Sequence, residues 1–219
     1  MKKHYLRTVL ILSLLGVFLL AGFSLQALDT EIGETEVFLD GERENVRTGE
    51  TTLGNLITDI MLYRTGADIA LTNGGGIRDS VDAGPITLED VLDIHPFENI
   101  IVTVELSGGE IISALEHGVS QYPEHWGGFP HVSGLEYTFD PEKPAGFRIQ
   151  EVLYQGETIE YGEKYTVATN DFLVAGGDDF TMLEKEILEE FDTMDQVILE
   201  YLQEYSPVAP EVEGRITIL

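Results

Sequence analysis

The octapeptide Leu71-Thr-Asn-Gly-Gly-Gly-Ile-Arg78 constrains the fold of this chain more than any other segment. Three consecutive glycines add nothing to a core and weaken any helix or strand that contains them. Such a run belongs where the backbone takes unusual dihedrals or comes very close to another group. Apolar residues Ile69–Leu71 lead into it, and Gly84-Pro85 marks a turn after it. Asn73 supplies an amide that both donates and accepts, and Arg78 supplies a planar fork of donors. An amide, a bare backbone and a guanidinium this close together describe either a small-molecule recognition loop or a glycine-rich turn with a surface arginine. The loop alone does not separate the two.

The N-terminus has the layout of a secretory leader. Lys2, Lys3 and Arg7 precede an apolar run from Val9 to Phe23, a small-residue region ends near Ala27, and acidic sequence begins at Asp29. Residues 1–27 are therefore predicted to be a signal peptide and residues 28–219 the mature region, exported to a periplasmic or extracellular space. The alternative is an uncleaved anchor, for which the run is short. With the leader set aside, nine basic residues stand against forty acidic ones, a formal charge of −31. Such a surface repels nucleic acid and anionic membrane, so neither is expected as a partner. An anionic ligand would need local arginines. There is no cysteine, which excludes disulfides, thiolate metal ligands and a cysteine nucleophile.

Periodicity along the mature region predicts an α+β fold, one domain with a mixed β-sheet packed by helices. Val37 and Leu39 alternate with polar residues as in a strand. Leu53, Leu56, Ile57, Ile60 and Met61 repeat at helical spacing, with Thr51 or Thr52 as cap and Gly66 as stop. Thr87 with Asp90, and Ser107 with Glu110, have capping-box spacing. Strands are expected at Ile69–Leu71, Ile100–Leu106, Leu135–Phe139, Arg148–Tyr154, Tyr165–Thr169 and Arg215–Leu219. A second glycine loop is expected over Asn170–Phe180, followed by helices near Met182–Phe191 and Asp195–Tyr205.

Four segments occur together and in order: Thr52-Leu-Gly-Asn-Leu-Ile-Thr-Asp59, Asn73-Gly-Gly-Gly-Ile-Arg78, His95-Pro-Phe97 and Asn170-Asp-Phe-Leu-Val-Ala-Gly-Gly-Asp178. In this the chain resembles the C-terminal domain of the 5'-nucleotidase family, exported enzymes that dephosphorylate nucleotides and nucleotide sugars. The resemblance runs from about Glu34 to Leu219. It implies a domain that binds the nucleoside part of a nucleotide or nucleoside ligand. By motif, Phe97 and Phe172 match the two rings that clamp the base, and Asp178 matches the ribose-binding aspartate. Asn73 matches an amide contacting base or ribose, and Arg47 and Arg78 match arginines on the sugar-phosphate side. Each has a plainer alternative: core phenylalanines, turn-forming Asp and Asn, and solvated arginines. The turn signals beside Phe97 and Phe172 favour an exposed rim over a core position.

Members of that family carry a two-metal phosphatase domain ahead of this one. The motifs here begin soon after the leader, so no catalytic residue and no metal ligand are expected in this chain, and it is expected to need no cofactor of its own. A divalent metal pair would belong to a separate phosphatase domain. Asp93-Ile-His95 has the spacing that opens a metallophosphatase motif, but it sits in the short helix and turn that lead to Phe97 and no Gly-Asn-His segment follows. Three readings stay open: a subunit completed by a separately encoded metallophosphatase chain, a free nucleoside-binding protein, and an interaction domain whose ligand site has decayed.

Overall fold

The computed structural model describes residues 28–219; the predicted leader lies outside the described residues. The first half of the chain forms β1 (Glu31–Thr35), α1 (Thr52–Thr65), β2 (Ile69–Asn73), β3 (Gly84–Thr87), α2 (Leu88–Ile94), β4 (Ile100–Ser107) and α3 (Gly108–Gly118). The second half adds β5 (Pro130–Ser133), β6 (Leu135–Phe139), β7 (Ile149–Tyr154), β8 (Glu157–Thr158), β9 (Lys164–Asn170), α4 (Asp171–Val174), β10 (Ile187–Thr193), α5 (Met194–Tyr205) and β11 (Ile216–Ile218). The architecture is α+β, with mixed sheets packed by helices.

The central sheet has the order β10-β4-β9-β2-β5. Only β9 and β2 run parallel within it; the other neighbours are antiparallel. Side chains alternate across a strand, and here the alternation builds two cores. Ile69, Leu71, Val102, Val104 and Val167 face a cluster made with α3 and with β6 and β7 of a second sheet, ordered β11-β6-β7-β8. Ala70, Ile101 and Ala168 face the opposite cluster, filled by Ile57, Ile60 and Met61 of α1 and by Val197, Ile198 and Leu202 of α5.

Helix starts follow the capping chemistry of the sequence. Thr51 accepts from the Gly54 amide to open α1, and both expected capping boxes form, Thr87 with Asp90 and Ser107 with Glu110. The first segment departs from expectation. Its strand is Glu31–Thr35, paired with β3, and Leu39 makes only an isolated bridge to Val81. The segment expected as a helix over Met182–Phe191 is instead a short turn and then β10, which pairs antiparallel with β4. Its apolar residues repeat at a spacing that suits a helix, but the open edge of β4 offers a full ladder of backbone partners. Outward-facing Glu189, Glu190 and Asp192 then charge the new sheet edge, which discourages further strand addition.

The Thr52–Asp59 segment is structural. A Cβ on Gly54 would lie 2.0 Å from the His131 ring, so glycine here admits the buried histidine. Asp59 takes a bidentate pair of bonds from Arg215, at 2.7 and 2.9 Å, and ties the C-terminal strand to α1. Among the described residues no helix is long and apolar enough to cross a membrane.

Candidate functional site

Because β2 and β9 lie side by side and parallel, their carboxyl ends open on the same edge of the sheet. Ligand sites in sheets with parallel strands favour that edge. The last residue of β2 is Asn73 and the last of β9 is Asn170, and each leads directly into one of the two glycine loops. The Asn170 amide donates to Thr72 Oγ1 at 3.2 Å and to Asn73 Oδ1 at 3.4 Å. Its own oxygen caps α4 by accepting from the Leu173 amide at 2.9 Å. Two buried asparagines therefore hold the roots of the two loops together.

The triple glycine is required by close approach and not by unusual dihedrals, since none of Gly74–Gly76 has a positive φ. A Cβ on Gly74 would stand 1.9 Å from the Val46 carbonyl oxygen. The amides of Gly74 and Gly75 donate at 2.7 Å to the carbonyls of Phe129 and Gly127. The loop is thus pressed between the segment that carries Arg47 and the segment around Gly127.

All six residues singled out in the sequence line one cavity of about 650 Å³: Arg47, Asn73, Arg78, Phe97, Phe172 and Asp178. Asn73 donates to Asp178 Oδ2 at 2.9 Å, and among the described residues the other carboxylate oxygen accepts no hydrogen bond. Asp178 sits in the left-handed region at φ 50°, ψ 28°. Phe97 and Phe172 are 40% and 42% exposed, as rim residues and not core residues are. Each ring has its own support. The His95 ring meets Phe97 edge-on at 5.6 Å, and Arg78 lies over Phe97 at 5.7 Å. Phe172 lies against the backbone of Gly177, where a Cβ would come within 2.5 Å of the ring.

The arginines differ from one another. Arg78 is exposed and donates weakly to the Gly75 carbonyl at 3.4 Å. Arg47 is only 7% exposed, against the sequence alternative of a solvated charge. It donates from Nη1 to the His125 carbonyl at 3.2 Å, while its buried Nε has no partner among the described residues. Burial, and then the like charges of Arg43 and Arg78, push its pKa below the usual arginine value. A buried guanidinium with unused donors is able to give charge-assisted hydrogen bonds to an anion.

The cavity also contains residues to which the sequence assigned no binding role: His95, Pro96, Glu98, Asn99, Gly127 and Asn170. Asn170 and His95 stood within quoted motifs, and their neighbours in the motif were the available signal. Gly127 reaches the cavity only through the pairing of its carbonyl with Gly75, which no local pattern shows. His95 is buried, and burial lowers its pKa. Asp93 is exposed while His95 is buried, so this pair does not converge. Among the described residues no group of three or more His, Asp or Glu is arranged to hold a metal ion.

The profile described as 5'-nucleotidase, C-terminal domain, matches residues 31–185. The chain is 43% identical over 198 residues to the trifunctional nucleotide phosphoesterase protein YfkN of Bacillus subtilis, covering 85% of this chain and 14% of that protein. It is 34% identical over 183 residues to protein UshA of Escherichia coli, covering 83% of this chain and 32% of UshA. Among solved structures, the 5'-nucleotidase precursor of Thermus thermophilus superimposes with a TM-score of 0.87 at 41% identity, over 93% of this chain and 42% of that one. The chain thus spans about a third or less of the curated relatives it matches. With the profile covering most of its length and both glycine loops, the chain belongs to the family of 5'-nucleotidase C-terminal domains.

Proposed function

We propose that the cavity binds the nucleoside part of a nucleotide, with the base between Phe97 and Phe172. The observation that carries this reading is chemical division within one cavity: two exposed rings, two arginines, and two carboxylates, of which Asp178 is oriented by Asn73 while Glu98 stands beside Phe97 in the sequence. Flat bases gain stacking energy from aromatic faces whatever their edge pattern. A carboxylate accepts from ribose hydroxyls but repels phosphate, so Asp178 and Asn73 suit the sugar. Arg47 and Arg78 suit the phosphate. The volume falls within the roughly 300–1,000 Å³ of small-molecule sites. The substrate class is supported by relatives named for nucleotide phosphoesterase and 5'-nucleotidase activity.

Hydrolysis is a separate matter. A two-metal phosphoryl-transfer site needs several ligands converging within a few ångströms. We assign that step to a metallophosphatase domain or chain outside the described residues, with this domain recognising the substrate. The same reading has the protein exported through its N-terminal leader.

Calorimetric titration of the 219-residue chain with AMP, adenosine and UDP-glucose, with and without divalent metal, tests the proposal. Binding of AMP and adenosine without metal is expected. No phosphate should be released from AMP when Mn, Zn or Co is added. A chain that binds none of the three ligands would refute the recognition role, and robust metal-dependent turnover would refute the division of labour.

A further inference from the structure

Asp178 and the following Asp179 both have positive φ, 50° and 59°. Side chains other than glycine adopt this region sparingly, and a consecutive pair persists only where the surroundings hold it. The Asp178 side chain is held by Asn73, as described. Its backbone carbonyl is held by a residue that does not line the cavity: His117 Nε2 lies 2.8 Å from the Asp178 oxygen. A carbonyl has no proton to give, so Nε2 is the donor.

The His117 ring is itself fixed. It sits in the last turn of α3 and meets two rings at near right angles, Trp126 at 5.0 Å and 88°, and Phe180 at 4.8 Å and 85°. Trp126 and Phe180 are parallel to within 5°, with centroids 6.3 Å apart. Edge-to-face contacts of this kind are favourable. Both rings belong to the segments that approach Asp178. Phe180 follows it by two residues, and Trp126 precedes Gly127, where a Cβ would lie 3.4 Å from the Asp178 carboxylate. One imidazole therefore joins a helix, the loop around Gly127 and the strained loop that carries the carboxylate.

We infer that His117 is a positioning residue for Asp178, its Nε2–H keeping the loop in the left-handed geometry that presents the carboxylate to a sugar; the inference rests on the nucleoside reading of the cavity. Without the donor the loop spends less time in the competent arrangement. Apparent affinity then falls by the lost fraction while the contacts themselves are unchanged.

The test compares His117→Phe, which keeps an aromatic ring and removes the donor, with His117→Gln, which restores an N–H at similar reach. Adenosine is titrated into the parent chain and both variants. Trp126 is the sole tryptophan, so its emission reports whether the ring cluster survives. The expected result is parent-like melting and emission for His117→Phe, about tenfold weaker adenosine binding, and recovery of most of the loss in His117→Gln. A His117→Phe variant that binds like the parent, or two variants weakened alike, would overturn the inference. Should both variants fail to fold, nitrogen-labelled histidine spectra of the parent decide: an Nε2-protonated ring supports the bond and an Nδ1-protonated one overturns it. A parent that binds no adenosine would instead count against the nucleoside reading, while the tautomer would still report on the His117 bond.

Discussion

The amide of Asn73 donates to the carboxylate of Asp178 at 2.9 Å, across 105 residues of sequence. This bond joins the two glycine loops, one at the end of β2 and the other shortly after β9. It orients a carboxylate that lines a cavity with two exposed aromatic rings. The arrangement is a small polar crosspiece between two loops whose roots the sheet already holds together.

The rings provide the first prediction. Phe97→Ala and Phe172→Ala should each remove roughly 1–3 kcal/mol of ligand stacking, which corresponds to about five- to a hundredfold weaker adenosine binding. Their exposure means that melting should change little. A core phenylalanine behaves oppositely, with truncation costing about 3–5 kcal/mol of stability. Melting and titration of each variant separate the two outcomes, and variants that stay folded and bind like the parent would remove the clamp.

Arg47 should set the preference for a phosphorylated ligand. In Arg47→Met the buried stem is retained and the charge is lost. Hydrogen bonds to charged groups contribute roughly 1.5–3 kcal/mol, so AMP affinity should fall by about ten- to a hundredfold. Adenosine, with no phosphate, should lose much less. Stability should change little, because losing the bond to the His125 carbonyl and the attraction of Asp178 is offset by relief of burial and of repulsion with Arg43 and Arg78. An unchanged ratio of AMP to adenosine affinity would place the anion elsewhere.

Gly74→Ala should damage both fold and site. The added methyl carbon would stand 1.9 Å from the Val46 carbonyl, and backbone must move to admit it. Overpacking of this kind costs about 1–3 kcal/mol or more. Val46 precedes Arg47, so ligand affinity should fall along with the melting temperature. Alanine at Gly146, where no atom comes within 4 Å of a Cβ, is the control for steric cost; its left-handed φ of 88° still carries some strain. Equal melting temperatures for Gly74→Ala and the parent would contradict the packing described.

Much of this was legible in the sequence because it is local. Thr51, Thr87 with Asp90, and Ser107 with Glu110 start helices through contacts three residues away, so their spacing announces them. The β10 segment was not legible, because its conformation is decided by the free edge of β4, some ninety residues earlier, and not by its own periodicity. The same holds within the site. Asn73, Phe97, Phe172 and Asp178 stand in recognisable motifs. The burial of Arg47, the approach of Gly127 and the bond from His117 depend on loops meeting in space. The triple glycine announced a close approach but not its partner, which is the Val46 carbonyl.

The charged start and apolar run before Ala27 predict removal of the leader on export. Mass spectrometry of the protein recovered outside the cytoplasm should find an N-terminus between about residues 25 and 29. A protein that begins at Met1 and stays in the membrane fraction would contradict this.

The last prediction concerns acid. His131 is fully buried, donates from Nε2 to the Val46 carbonyl at 2.9 Å, and has Nδ1 against Gly54 with no hydrogen-bond partner among the described residues. Burial pushes its pKa down to about 4, and the bond to Val46 and the charges of Glu50 and Asp40 oppose this only in part. The folded value therefore lies below that of the unfolded chain, near 6.5. Above about pH 6.5 the ring is neutral in both states and its placement has no proton-linked cost. As pH falls from about 6.5 to 4 the unfolded chain takes up a proton that the folded chain refuses, and stability falls by about 3 kcal/mol in all. The buried His95, also lowered by burial, adds to the same slope. Urea unfolding of the parent should thus show a clear loss between pH 7 and pH 5, before most carboxylates titrate. His131→Gln keeps a donor for the Val46 carbonyl and cannot ionise, so whatever its stability at pH 7, it should lose about 2 kcal/mol less than the parent over that interval. Parallel slopes for parent and variant would mean that His131 takes up its proton without unfolding the chain.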